Sequence, residues 1–141
     1  MKLSENYFYT LREDAKDEES ISGNLLVKSG MFKKIGNGIY MKMPLGQKVW
    51  ENVKSIVRKN MNEAGALELT MPMLLPVDVF QKSGRYEAFG PSIFKLNDRY
   101  SRPYVLGPTH EEFFVLASMM KSKSYKDFPY TLYQIGNKYR D

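Results

Sequence analysis

The chain has 141 residues, 43% hydrophobic and 26% charged, a make-up that allows one folded domain with a sizeable core and excludes a disordered tail. There is no cysteine, which removes disulfides, thiolate metal sites and thiol nucleophiles together, and no apolar run approaches the roughly 20 residues of a membrane helix. A net charge of +5 permits a nucleic-acid partner without demanding one, because the 21 basic residues are scattered.

The opening MKLSENYFYT lacks the basic-then-apolar order of a secretory signal, so a cytoplasmic protein is expected. The acidic run at residues 13–19, EDAKDEE, reads as a solvated loop. Ser20 leads into a short helix carrying Ile21, Leu25 and Leu26, which Gly30 stops. The stretch MFKKIGNGIYMKMP reads as a hairpin: Asn37-Gly38 supplies the positive backbone angles of a two-residue turn, and Ile39, Met41 and Met43 alternate after it. Across residues 45–64, Val49, Trp50, Val53, Ile56, Val57, Met61 and Ala64 recur at spacings of three and four. They predict one apolar stripe on a helix of about five turns, ended by Gly65. Residues 66–71 alternate as a strand and run into Pro72, which marks a sheet edge or a strand end.

A short helix over residues 77–83 ends at Gly84. Strands follow over 93–97 and 103–106, joined through 98–102, and a helix begins at Thr109. Residues 130–140 have strand character, but their bulky side chains do not alternate cleanly, as in a strand covered on both faces. No internal repeat or low-complexity segment is present. Helices and short strands joined by hairpins predict an α+β fold, an antiparallel sheet with flanking helices.

The segment VLGPTHEEFF at residues 105–114 holds the only histidine beside two adjacent glutamates. A zinc helix needs a second histidine four positions after the first, and position 114 is Phe. A Ser-His nucleophile system finds no serine in a strained Gly-x-Ser-x-Gly turn. Thr109-His-Glu-Glu112 matches a capping box, with Thr at the cap and Glu three residues later. Capping accounts for Thr109 and Glu112 but leaves Glu111 without a reason, and position alone gives His110 no role.

VLGPTHEE, preceded by SGRYEAFGP and followed by LYQIGNKYRD, resembles the catalytic domain of bacterial-type prolyl-tRNA synthetases. LRED…SGNLLVKSGMFKKIGNGIYMKMPLGQKVWENV resembles the amino-terminal part of the same family. MNEAGALELTMPMLLPVDVFQKSGR is similar to motif 1 of class II synthetases, placing that motif at about residues 46–76. The likeness runs over essentially the whole chain, with the motifs in the family's order. It implies part of a class II synthetase catalytic fold, with the Thr-x-Glu element at residues 109–111 and the start of motif 2 at residues 139–141. Tyr139 stands where the family usually has Phe, and Ile135-Gly136-Asn137 replaces a more common Gln-containing segment. The motif 2 glutamate would follow Asp141. The motif 2 loop, the editing insertion, motif 3 and the anticodon-binding domain also fall outside the 141 residues, so the chain by itself is expected not to charge tRNA.

The resemblance implies ATP-dependent activation of proline to prolyl-adenylate and transfer to tRNA(Pro), with Mg2+ accompanying ATP in the full enzyme. By resemblance Arg140 is the catalytic residue that holds the α-phosphate of ATP and the proline carboxylate, a task suited to a planar, permanently charged guanidinium. Thr109 and Glu111 take the two N–H donors of the protonated secondary amine, with Glu112 left as the cap. A homodimer through motif 1 is implied as well. Because one methylene is worth only ~1–3 kcal/mol, smaller amino acids leak into such a pocket, a physical reason for editing. Two alternatives stand beside this: a non-catalytic dimerisation or binding module derived from a synthetase, and a related class II synthetase for threonine or serine. The lack of zinc ligands speaks against threonine.

Overall fold

The computed structural model describes residues 2–15 and 18–141, so Lys16 and Asp17 of the acidic run lie outside the described residues. The chain divides into two compact units, Met1–Lys59 and Asn60–Asp141.

In the first unit, Ser20 caps α1 (Ile21–Lys28), its hydroxyl accepting from the Gly23 amide at 3.0 Å. Gly30 follows at φ 69°, where a Cβ would stand 2.2 Å from the Tyr9 carbonyl oxygen, so both the turn and the close approach require glycine. The expected hairpin forms from β1 (Phe32–Gly36) and β2 (Ile39–Lys42), antiparallel, with Lys34 opposite Tyr40 and a register irregularity next to the turn. Ile39 and Met41 alternate as expected yet remain exposed. Next comes α2 (Pro44–Glu63), within one residue of its predicted limits at both ends. Much of its apolar stripe is exposed: Val49, Val53 and Val57 keep 43%, 51% and 46% of their surface.

The second unit contains the end of α2 and the elements after it. Gly65 takes φ 79° as the stop. The strand expected over residues 66–71 shrinks to β3 (Leu67–Glu68), and the strand character of residues 130–140 shrinks to β7 (Leu132–Tyr133). These two pair in parallel, Leu67 against Leu132, with flanking bonds from the Leu67 amide to Thr131 O and from the Leu69 amide to Tyr133 O, both 2.9 Å. This pair is parallel, beside the antiparallel pairings that the sequence predicts. Tyr133 is buried, and its hydroxyl donates to Asn62 Oδ1 at 2.9 Å.

The larger sheet is antiparallel, in the order β4 (Leu74–Pro76), β6 (Pro103–Leu106), β5 (Lys95–Asn97). β5 starts two residues later than expected, and β4 was not expected, because prolines at 72 and 76 bracket it. Leu75 and Val105 sit opposite each other and are fully buried. With Val77, Phe80 and Ile93 they form the core. Val77 and Phe80 come from α3 (Val77–Lys82), and Phe89 from α4 (Arg85–Phe89), a one-turn helix that periodicity does not reveal. Phe80 packs edge-on to Phe89 at 6.4 Å and tilted against Phe113 of α5 (Glu111–Lys121) at 5.9 Å, ring geometries worth about 0.5–1.5 kcal/mol each beyond their buried area. That packing fixes the start of α5, where the candidate site lies.

Candidate functional site

The chain leaves β6 through Gly107 and Pro108 and enters α5 two residues past the predicted start at Thr109. Thr109 is buried, and His110, not Thr109, holds the cap position, with no side-chain cap bond. The capping-box expectation is therefore corrected. The Thr109 hydroxyl donates to Glu111 Oε2 instead of accepting from the helix backbone. Glu112 turns away from the cap: its Oε1 lies 3.0 Å from the Ser83 hydroxyl and 3.4 Å from Arg85 Nε. The physical reason is that a fully charged acceptor finds stronger donors in Arg85 and Ser83 than in a single helix amide.

Arg85 binds both glutamates. Its Nη1 is 3.4 Å from Glu111 Oε2, and its guanidinium lies over the Phe89 ring at 5.2 Å. Glu111 keeps 66% of its side chain exposed. The Thr109 hydroxyl, with a lesser contribution from Arg85, holds its carboxyl below the ordinary glutamate range. Thr109, His110, Glu111, Phe114, Gln134, Gly136 and Lys138 line a hollow of about 230 Å3.

The segment after β7 closes the other wall. Its backbone is tied to the residue after β6 and to the segment before β5, with the Tyr139 amide on Gly107 O at 3.0 Å and the Asp141 amide on Ser92 O at 3.1 Å. Arg140 Nε donates to Pro108 O at 3.0 Å, which places its guanidinium beside the residue preceding Thr109. Thr109 and Glu111 are thus in direct contact, while Arg140 approaches them through Pro108.

His110 is 3% exposed. Its Nε2 is 2.9 Å from the Pro72 carbonyl, which can only accept, so Nε2 carries the proton and Nδ1 presents its lone pair. Lys138 Nζ donates to that Nδ1 at 2.6 Å. Gln134 Oε1 accepts from the Met71 amide at 3.1 Å, while its Nε2 is buried with no hydrogen-bond partner among the described residues. Gly107 permits the histidine's position: a Cβ there would lie 2.9 Å from its Cε1.

Arg85, Gln134 and Lys138 were not expected at the site; His110, expected as a bystander or pocket-wall residue, lines it. One usable sign existed for Lys138: residues 138 and 140 are two apart, a spacing that puts both side chains on one side of an extended segment. Among the described residues, no group of three or more His, Asp or Glu could hold a metal, and no helix is long and apolar enough to cross a membrane.

No family model matches the chain. Proline–tRNA ligase of Rhodococcus erythropolis is 46% identical over 140 residues, covering 99% of this chain and 24% of the relative. The enzymes of the same name from Thermotoga maritima and Maridesulfovibrio salexigens are 43% and 46% identical over 143 residues, each covering all of this chain and 24% of the relative. The chain spans about a quarter of the length of the curated relatives it matches. Among solved structures, the RNA-binding domain of threonyl-tRNA synthetase from Cryptosporidium parvum Iowa II superposes with a TM-score of 0.73 at 20% identity, covering 82% of this chain and 30% of that one. Prolyl-tRNA synthetase from Cryptosporidium parvum, complexed with halofuginone and AMPPNP, gives a TM-score of 0.70 at 19% identity, covering 84% of this chain and 24% of that one. The mixed helix and strand fold is accordingly part of a tRNA-synthetase fold.

Proposed function

We propose that this chain, homologous along its whole length to the proline–tRNA ligases, supplies the amino-acid pocket of an enzyme that activates proline with ATP and passes it to tRNA(Pro). In the first step a proline carboxylate oxygen attacks the α-phosphorus, forming prolyl-adenylate, and pyrophosphate leaves. The observation that carries the reading is the pair Thr109–Glu111 at the hollow. A protonated secondary amine has two N–H donors. The Thr109 oxygen, whose own proton goes to Glu111, accepts one of them, and the ionised Glu111 accepts the other with charge assistance.

Arg140 takes the carboxylate and the α-phosphate, stabilising the charge that gathers as the new bond forms. Its bond to the carbonyl of Pro108, the residue before Thr109, supports this role. Residues 46–76, from α2 to β4, correspond to motif 1, residues 109–111 to the Thr-x-Glu element, and residues 139–141 to the start of motif 2. Mg2+ would accompany ATP in the full enzyme, and no step is assigned to it. A second copy of the chain covers the exposed stripe of α2, making a homodimer, and the protein works in the cytoplasm.

The test is proline-dependent ATP–pyrophosphate exchange in the protein that carries this chain. Arg140→Ala should lower exchange by about a hundredfold or more. Undiminished exchange in that variant would remove Arg140 from the mechanism.

A further inference from the structure

Two polar groups that line the hollow, Lys138 and Gln134, are not used by the amine-binding pair. Lys138 has no carboxylate within salt-bridge distance among the described residues. Its side-chain hydrogen bond is to the lone pair of a histidine whose other nitrogen is committed to the Pro72 carbonyl. A cation held by a neutral acceptor keeps two N–H donors and a whole charge for another partner. Gln134 adds the second observation. Its oxygen is fixed by the Met71 amide, and its buried nitrogen has no hydrogen-bond partner among the described residues. Buried donors are rarely left so, because leaving one unpaired is costly.

We propose that Lys138, positioned by His110, and the Gln134 amide together form a seat for an anionic oxygen of the ligand, either a carboxylate oxygen of the amino acid or a phosphate oxygen of the nucleotide. The inference rests on the hollow being the amino-acid site and adds a seat for the negative end of the ligand. A ligand with an amine on Glu111 and a carboxylate on Lys138 would be a zwitterion held at both ends, with Arg140 facing the carboxylate from the Pro108 side. Burial pushes the Lys138 ammonium below the ordinary lysine range; the charge of Glu111 opposes that and the charge of Arg140 adds to it. An incoming anion would relieve the crowding of two cations. His110 acts only through Lys138: its neutral Nδ1 fixes the ammonium without neutralising it.

The experiment is calorimetric titration of the purified protein and its Lys138→Met, Lys138→Arg and His110→Gln variants with proline, prolinamide and ATP. Prolinamide keeps the amine and lacks the carboxylate. With a carboxylate in the seat, Lys138→Met weakens proline by about tenfold and leaves prolinamide unchanged. Lys138→Arg retains most of the proline affinity, and His110→Gln narrows the proline-to-prolinamide ratio as Lys138→Met does. With a phosphate in the seat, ATP weakens instead and proline holds; this outcome also supports the seat and identifies its occupant. Equal losses for proline and prolinamide with ATP unchanged, or no change for any ligand in Lys138→Met, overturn the proposal. Lys138 is exposed, so its variants keep the test valid even where His110→Gln fails to fold. If Glu111→Ala binds proline as the unsubstituted protein does, the pocket reading fails independently of Lys138; if the unsubstituted protein binds none of the three ligands, both fail.

Discussion

Thr109 and Glu111 meet because His110, at φ −135° and ψ 17°, turns the chain between them before α5 begins. The Thr109 hydroxyl donates to the ionised carboxylate and so favours it, and Glu111 titrates below the ordinary glutamate range for that reason first. Replacing the hydroxyl with a methyl of similar shape should move the group back: in Thr109→Val the Glu111 carboxyl midpoint, followed by carbon NMR, should rise. An unchanged midpoint would mean the contact does not exist in solution. Any stability linked to this bond is present above the unfolded carboxyl's pKa and is lost as pH falls through the depressed folded value. With two-thirds of the side chain exposed the amount is small, so the shift matters for the charge that Glu111 carries rather than for folding. At this scale the family motifs pointed to Thr109, Glu111 and Arg140, of which the structure brings Thr109 and Glu111 into contact and ties Arg140 to Pro108. Arg85, Gln134 and Lys138 were not legible, because their roles come from contacts between segments far apart in the chain. Glu112 was misread, since its partners Ser83 and Arg85 lie on another element.

At the scale of elements, what could be read from sequence depended on length. The 20-residue α2 carries enough turns for its period to show, and its limits were found within one residue. Two-residue strands carry no period at all. β3 and β7 exist only because Leu67 and Leu132 are brought side by side by the rest of the unit. Gly46 illustrates how packing overrides propensity. In a helix interior Ala is ordinarily better than Gly by about 1 kcal/mol. Here a Cβ on Gly46 would lie 2.1 Å from the Met31 carbonyl oxygen and 3.2 Å from the Met31 Cα, so backbone must move. Gly46→Ala should therefore destabilise the protein, by about 1–3 kcal/mol as overpacking does. Urea denaturation reads this directly, and a raised midpoint would contradict the packing described.

For the molecule as a whole, the α+β class followed from the sequence, but the distribution of the core did not. The stripe on α2 was read correctly as apolar, and periodicity cannot say whether such a stripe is buried by its own chain. Val49, Val53 and Val57 remain about half exposed, while the core gathers around Leu75, Phe80 and Val105. A second copy is the proposed cover. Sedimentation equilibrium at about tens of micromolar, where obligate dimers are commonly assembled, should show a dimer, and Val53→Asp should shift it towards monomer by placing a charge in the apolar contact. Monomer alone at those concentrations would count against the dimer.

The central claim is that Glu111, with Thr109, holds the amine of proline, and calorimetric titration of proline into the unsubstituted protein and into Glu111→Ala tests it most directly. Loss of the charged partner should weaken proline by about 1–2 kcal/mol, roughly tenfold, at a carboxylate this exposed, while the thermal unfolding midpoint of the variant stays close to that of the parent because the side chain is exposed. Equal proline affinity in the two proteins would contradict the account.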